Sequence, residues 1–109
     1  MKNLSAQDGK TLAIVSYFTI IGWLIALFLN KDKDNYFTKF HLRQALGIHL
    51  ILIINKYIPR IYILFLDTKS IITIIGIALL VIGIVYASKE EEKPLPIVGE
   101  YFQDWFKSL

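Results

Sequence analysis

Two apolar runs and a third, less regular one, separated by short charged stretches, set the pattern of this chain. Residues 11–29, TLAIVSYFTIIGWLIALFL, carry no formal charge. As a helix at 1.5 Å per residue they would measure about 28 Å, close to the hydrocarbon thickness of a bilayer. Residues 71–87, IITIIGIALLVIGIVYA, form a second uncharged run. Helices built from these runs would be apolar all round, which suits lipid better than a domain surface. Between them the pattern is mixed: QALGIHLILIIN is uncharged, and Lys56, Pro59 and Arg60 follow. Residues 42–58 can span if Lys56 carries its ammonium out to the interface, with Pro59 ending the helix. The rival is one kinked helix through Leu66, which sets Lys56 and Arg60 at membrane depth at ~2.5–3.5 kcal/mol per charge. The shorter span is preferred. The pattern thus predicts an all-α, polytopic membrane protein of one domain, with three transmembrane helices over residues 11–29, 42–58 and 71–87.

The remaining segments fit around these spans. Residues 1–10 read as a polar leader with little to order them. The first run is longer than a signal-peptide core and lacks a small-x-small cleavage pattern, so it is expected to be retained. Asn30 is a natural stop, and Asp34, Asn35 or Thr38 a natural N-cap for the next helix. RIYILFLDTKS is too short to cross and reads as an interfacial half-turn or a packed loop. After the prolines of KPLP, apolar residues recur at helical spacing through the tail. Residues 97–108 are therefore predicted to form an amphipathic helix lying in the interface, with Tyr101, Phe102, Trp105 and Phe106 on its apolar face. Gly22 and Ala26, and Gly76 and Gly83, are small residues spaced for close helix contact.

Composition supports the membrane reading. Of 109 residues 55% are hydrophobic and 19% charged, and the mean hydropathy is +0.52. The net charge of +3 is modest and its cations flank the apolar runs, so nucleic acid is not an expected partner. The absence of cysteine excludes disulfides, thiolate metal sites and cysteine nucleophiles. With three spans, loop 30–43 and the tail share one side and hold more Lys and Arg than the other. The positive-inside rule then makes both cytoplasmic, in a bacterial cytoplasmic membrane.

The densest polar chemistry lies in FTKFHLRQALGIHL, residues 37–50. Phe40, His41, Arg43 and Gln44 form an interfacial cluster at the mouth of the second span. His41 and His49 are about 12 Å apart along a helix, too far to share one ion. No nucleophile motif, paired carboxylate or phosphate-cradling loop accompanies them. The pattern predicts no enzyme, no metal and no cofactor. Arg43 near a helix N-terminus opposes the dipole and needs an anion. The choices are lipid phosphate or a tail carboxylate among Glu90, Glu91, Glu92 and Asp104. His49, Asn55 and Lys56 are polar groups within the apolar region, and buried ones need partners.

The F-H-x-R-Q-A element at Phe40, His41, Arg43, Gln44 and Ala45, and K-P-x-P-x-x-G at Lys93, Pro94, Pro96 and Gly99, carry a family resemblance. The chain resembles the chloroplast-import-component-like (Tic twenty-kilodalton-subunit-like) small bacterial membrane proteins. Plant members of that family are described with four spans, where the pattern here provides three. The resemblance implies a setting near protein translocation. The expected role is a non-enzymatic accessory or assembly partner in the membrane. The partners expected are the lipid bilayer and either another membrane protein or a second copy of the chain. A self-associating channel or transport component is the alternative.

Overall fold

The computed structural model describes residues 5–109, and most of them are helical. The first apolar run is not one helix. At Thr19 the backbone is extended (φ −149°, ψ 168°), and the Thr19 hydroxyl accepts from Gly22 N at 3.0 Å. A side-chain cap at this point starts a new helix. The run is therefore divided between α1 (Ala6–Phe18) and α2 (Ile20–Lys33). The two fold back on each other, and Gly22 closes on the Val15 carbonyl so tightly that a β-carbon would sit 2.6 Å from it. The small residue expected to meet another span meets the other half of its own run. The expected leader is also shorter than its pattern suggested: Ser5 caps α1 by accepting from Asp8 N at 3.1 Å, which places residues 6–10 in the helix. Residues 1–4 lie outside the described residues.

α3 (Tyr36–Asn55) begins ahead of the span expected from position 42, at one of the three expected caps. Its N-cap is Asn35, whose side-chain oxygen accepts from Thr38 N at 3.0 Å. It ends ahead of Pro59, its last carbonyls taken up by tight turns from Lys56 N and Tyr57 N. Residues 61–67, expected as a half-turn or loop, contain a small antiparallel hairpin of β1 (Tyr62–Ile63) and β2 (Leu66–Asp67). Its turn uses Leu64 at φ 58°. α4 (Thr68–Ser88) follows directly, capped by Asp67. The tail helix α5 (Gly99–Trp105) is a short core of the expected 97–108 segment.

α3 is the axis. Thr38 bonds Gly9 and His49 bonds Ser16, so α1 runs parallel to α3. Trp23 bonds Leu42 O while Asn30 bonds Asn35, so α2 runs antiparallel to it. α4 also runs antiparallel, with Thr73 at Asn55 and residues 88–95 near His41 and Gln44. The start of α1, the α2–α3 connection and the tail thus share one end, and residues 56–67 stand at the other. The three-span layout, which sent the leader to the opposite end, is corrected by the Thr19 reversal.

The three transmembrane helices are not supported. Among the described residues one helix, α4, is long and apolar enough to cross a membrane by length and composition. α1 and α2, with 13 and 14 residues, would each reach only about 20 Å. α3 has the length, but Lys39, His41, Arg43 and Gln44 dilute its first half.

Gly83 and Gly76 set how closely α4 approaches. A β-carbon on Gly83 would run into the Tyr17 ring of α1, and one on Gly76 into the tip of Leu52 on α3. Leu52 can rotate away, whereas Tyr17 is pinned by hydrogen bonds to His41 and Gln44. Gly83→Ala is therefore expected to destabilise the fold by about 1–3 kcal/mol, the usual cost of overpacking, and Gly76→Ala by less. Thermal unfolding followed by circular dichroism tests this, and the reverse ranking would refute it.

Candidate functional site

The polar cluster of the second apolar segment is an interior, not a surface. His41 and Gln44 are fully buried and Phe40 nearly so. Helical spacing puts all three on the α3 face that receives both α1 and the tail. His41 Nε2 lies 2.9 Å from the Glu91 carbonyl, and Nδ1 lies 2.6 Å from Tyr17 Oη. A carbonyl only accepts, so Nε2 carries the proton and Nδ1 accepts from the Tyr17 hydroxyl. The hydroxyl oxygen in turn accepts from Gln44 Nε2 at 3.1 Å. Gln44 Oε1 then accepts from Leu95 N at 2.7 Å. Each donor has a defined acceptor, and the relay begins and ends on backbone groups of the segment after α4. The Tyr17, Phe37 and Phe40 rings meet the imidazole edge-on, with centroids 4.7–5.5 Å away.

Arg43 does reach the tail, though not through a carboxylate. Its guanidinium donates to the Lys107 carbonyl at 2.9 Å and to Gln103 Oε1 at 3.4 Å, and it lies over the Tyr36 ring. Gln103 donates back to the Phe40 carbonyl at 2.7 Å. The negative end it finds is thus a helix C-terminus, where carbonyl dipoles attract a cation. Of the expected apolar face of the tail, Phe102 is buried against Gly47 of α3 and Phe106 is half-buried. Tyr101 and Trp105 are exposed.

His49, Asn55 and Lys56 lie deeper along α3 and do not join this cluster. His49 Nε2 donates to the Ser16 carbonyl at 2.9 Å, the break in α1 having freed that carbonyl from a full helical ladder. Asn55 donates to Lys69 O at 3.2 Å and Thr73 Oγ1 at 3.1 Å. Lys56 is exposed. Gly22, Ala26, Gly76 and Gly83 all pack inside the chain. Among the described residues no three His, Asp or Glu side chains gather closely enough to hold a metal ion.

Sequence reasoning read Asn30, Asn35 and Thr38 as local stops and caps and missed the longer-range bonds that they and several other residues make. Asn30, Asn35 and Thr38 tie three segments at one end. Asn30 bonds both backbone groups of Asn35, Asn35 Nδ2 donates to Ser5 O at 2.9 Å, and Thr38 donates to Gly9 O at 3.0 Å. Tyr17 was hidden in an apolar run. At the far end Asp67 accepts from Ser70 N at 2.7 Å and from Arg60 at 2.6 Å, and Lys69 donates to the Asn55 and Lys56 carbonyls. The run N-K-D-K-D-N-Y-F-T, with Asn then Thr three later, was the available signal for the first knot.

The stretch that builds the relay, from Tyr17 to Leu95, falls within one family match. A family model described as the magnetosome magnetite crystal formation protein family matches residues 8–102. The chain belongs to that family. No curated protein and no solved structure matches the chain. The match overturns the chloroplast-import-component-like assignment and, with it, the translocation setting. The shared-looking elements explain the error. F-H-x-R-Q-A supplies His41, Gln44 and Arg43, and K-P-x-P-x-x-G supplies the segment whose Leu95 amide Gln44 holds. Such elements encode how a tail is fastened to a helix, which is architecture and not activity. The magnetosome magnetite crystal formation family is a membrane family, in keeping with the apolar α4.

The two fastenings should separate by hydrogen exchange. Gln44→Ala frees Leu95 N and is expected to raise exchange over residues 94–99, at a cost of about 1–3 kcal/mol for the orphaned buried groups. Arg43→Ala should raise it only over residues 103–109, and identical exchange maps for the two variants would refute the division. At the other end, the Ser70 amide bond and the Arg60 guanidinium hold the Asp67 carboxyl below its ordinary value. A depressed folded value means that its contribution is full above the unfolded pKa of ~3.9 and is lost as pH falls through the folded one. Ser70 exchange is expected to stay slow down to about pH 4 and to quicken below it. Asp67→Asn should flatten that dependence.

Proposed function

We propose that the chain is a non-enzymatic accessory protein of the membrane in which magnetosome crystals form, an internally braced helical unit that supports crystal formation from within the bilayer. The observation that carries the membrane part is α4: 21 residues, strongly apolar, and with only 17% of its most apolar window buried inside the fold. Its outward face shows Ile74, Ile75, Ile77, Val81 and Val85, a surface that only lipid or another apolar body satisfies. α2 adds Ile21, Leu24, Ile25, Phe28 and Leu29. The crystal-formation part rests on the family.

On this reading α3 and α4 cross together, about 30 Å long each, and α1 and α2 form a re-entrant hairpin that enters and leaves on one side. The polar groups of α3 then sit inside protein, where buried membrane polar groups are tolerated. Lys10, Lys31, Lys33, Lys39, Arg43, Lys89, Lys93 and Lys107 collect at the end with the tail. Lys56, Arg60 and Lys69 collect at the other. The positive-inside rule makes the first end cytoplasmic. The exposed Leu64 and Phe65 at the hairpin tip, with Tyr57 and Ile61, meet the opposite headgroup layer, and Tyr101 and Trp105 meet the cytoplasmic one.

A non-catalytic role is favoured by how the chemistry is used. Tyr17, His41 and Gln44 spend their hydrogen bonds on one another and on backbone. A self-associating channel is disfavoured because the glycine faces are filled by Tyr17 and Leu52 within the chain.

The chain has no cysteine, which makes the layout directly testable. Single variants Ser5→Cys, Lys33→Cys and Lys107→Cys are expected to react with an impermeant maleimide from one side of sealed vesicles, and Leu64→Cys from the other. Labelling of Ser5→Cys on the Leu64 side would overturn the re-entrant hairpin. For the role itself, deletion in a magnetosome-forming cell should change crystal size or number in electron micrographs while bulk secretion stays normal. Unchanged crystals would sink it.

A further inference from the structure

The end of the molecule opposite the tail holds a feature that the relay does not explain. A cleft of about 640 Å³ opens between the last turn of α3 and the first turns of α4. Its polar lining is cationic and hydroxylic: Lys56, Arg60, Lys69, Ser70 and Thr73. Arg60 is matched by Asp67 at 2.6 Å. Lys69 uses two of its three N–H donors on the Asn55 and Lys56 carbonyls and keeps one. The Lys56 ammonium is exposed at the rim. The cleft therefore keeps two positive charges in excess, next to the N-terminal end of α4, whose dipole adds to them.

A second, independent observation is Asn55, which also lines the cleft. Asn55 is 94% buried, and its Oδ1 has no hydrogen-bond partner among the described residues. The orientation of this amide is fixed, because the Lys69 carbonyl that it faces can only accept. The unmatched atom is thus a buried acceptor beside the cleft, and a buried acceptor calls for a donor. The walls beside these polar groups are Leu52 and Ile74, and Ile74 is largely exposed on the outer face of α4. A site with cations, an acceptor and an apolar flank fits a phosphate diester whose headgroup carries hydroxyls and whose acyl chains continue along the helices.

We infer that this cleft binds the headgroup of an anionic phospholipid of the phosphatidylglycerol type, with Lys56 and Lys69 receiving the phosphate and Leu52 and Ile74 flanking the acyl chains. The inference rests on the membrane reading above, which puts this end at a headgroup layer. It locates a lipid-specific contact at the non-cytoplasmic end, where the cations are few and are gathered in one place. Juxtamembrane cations attract anionic lipid generally, so the claim is specific to these residues and not to charge as such.

The test uses the full chain reconstituted in vesicles of phosphatidylcholine with a minor fraction of phosphatidylglycerol, then native mass spectrometry of the extracted protein. The wild-type chain is expected to retain one phosphatidylglycerol. Lys56→Gln should weaken retention about fivefold, in line with one surface cation, Lys56→Arg should restore it, and Lys107→Gln at the other end should leave it unchanged. Circular dichroism of each variant checks that the helices persist. Equal retention by Lys56→Gln and wild type, or equal loss in Lys107→Gln, overturns the site. Displacement of the lipid by millimolar inorganic phosphate overturns the lipid assignment in favour of free phosphate. A chain that floats with vesicles yet shows no preference for phosphatidylglycerol defeats this inference alone. A chain that fails to float defeats the membrane reading with it.

Discussion

The hydrogen bond from Tyr17 to His41 is the contact on which the arrangement turns. It joins α1 to α3, and through the other imidazole nitrogen it reaches the chain after α4. A neutral histidine donates at one nitrogen and accepts at the other. That property lets a single buried side chain define two neighbours at once and give each a direction. If the ring were reversed, a carbonyl would face a lone pair and a hydroxyl would face an N–H. Gln44 repeats the logic with its amide, donating to Tyr17 and accepting from Leu95. In a low-dielectric interior such a closed set is strong when complete and costly when any member is missing. It specifies one register for three segments where apolar packing alone would tolerate sliding.

Much of this was legible in part. The apolar run of α4 was readable because nothing interrupts it, and its glycines were readable as contact points because small residues recur on one face. The break at Thr19 was not readable. Threonine inside Y-F-T-I-I is compatible with a continuous membrane helix, and what decides otherwise is tertiary: the hairpin allows α1 and α2 to pack against α3 in opposite directions. Ser16, at the end of α1, gives its carbonyl to His49. Neither residue signals that pairing locally, since the two are 33 positions apart. The polar cluster was visible as a cluster of residue types in the sequence. Its direction was not: whether the cluster met lipid or protein depended on a tail whose docking no local pattern encodes. Arg43 shows the same limit. The need for negative charge followed from the helix dipole, while the answer, the Lys107 carbonyl at the end of the tail, required the fold.

The two ends of the molecule solve different problems. At the tail end, asparagine, threonine, histidine, glutamine and arginine side chains hold irregular backbone in place, so that the α1 start, the α2–α3 connection and the segment after α4 form one body. At the other end a short apolar hairpin is held by Arg60–Asp67 and by the cap of α4. The first end is rich in partners and the second in exposed apolar side chains and unmatched cations. The membrane setting proposed above suits such an asymmetry, because its two sides differ and the two ends of the molecule would meet different surroundings.

That asymmetry bears on how so small a chain can act inside a membrane. A protein of this length has little surface to divide between self-packing and recognition. Here the polar side chains of α3 are almost wholly consumed by self-packing, and the glycine approaches that might have served another copy are filled by Tyr17 and Leu52. Among the surfaces that stay outward are the apolar faces of α2 and α4 and the basic cleft beside α4. Apolar faces select a phase, since lipid chains satisfy them without discrimination. Discrimination must then come from the few outward polar groups, because only an oriented donor, acceptor or charge distinguishes one headgroup from another. With His41 and Gln44 held inside, the specificity proposed above falls to groups that self-packing leaves outward, such as Lys56 at the end of α3 that the tail leaves uncovered.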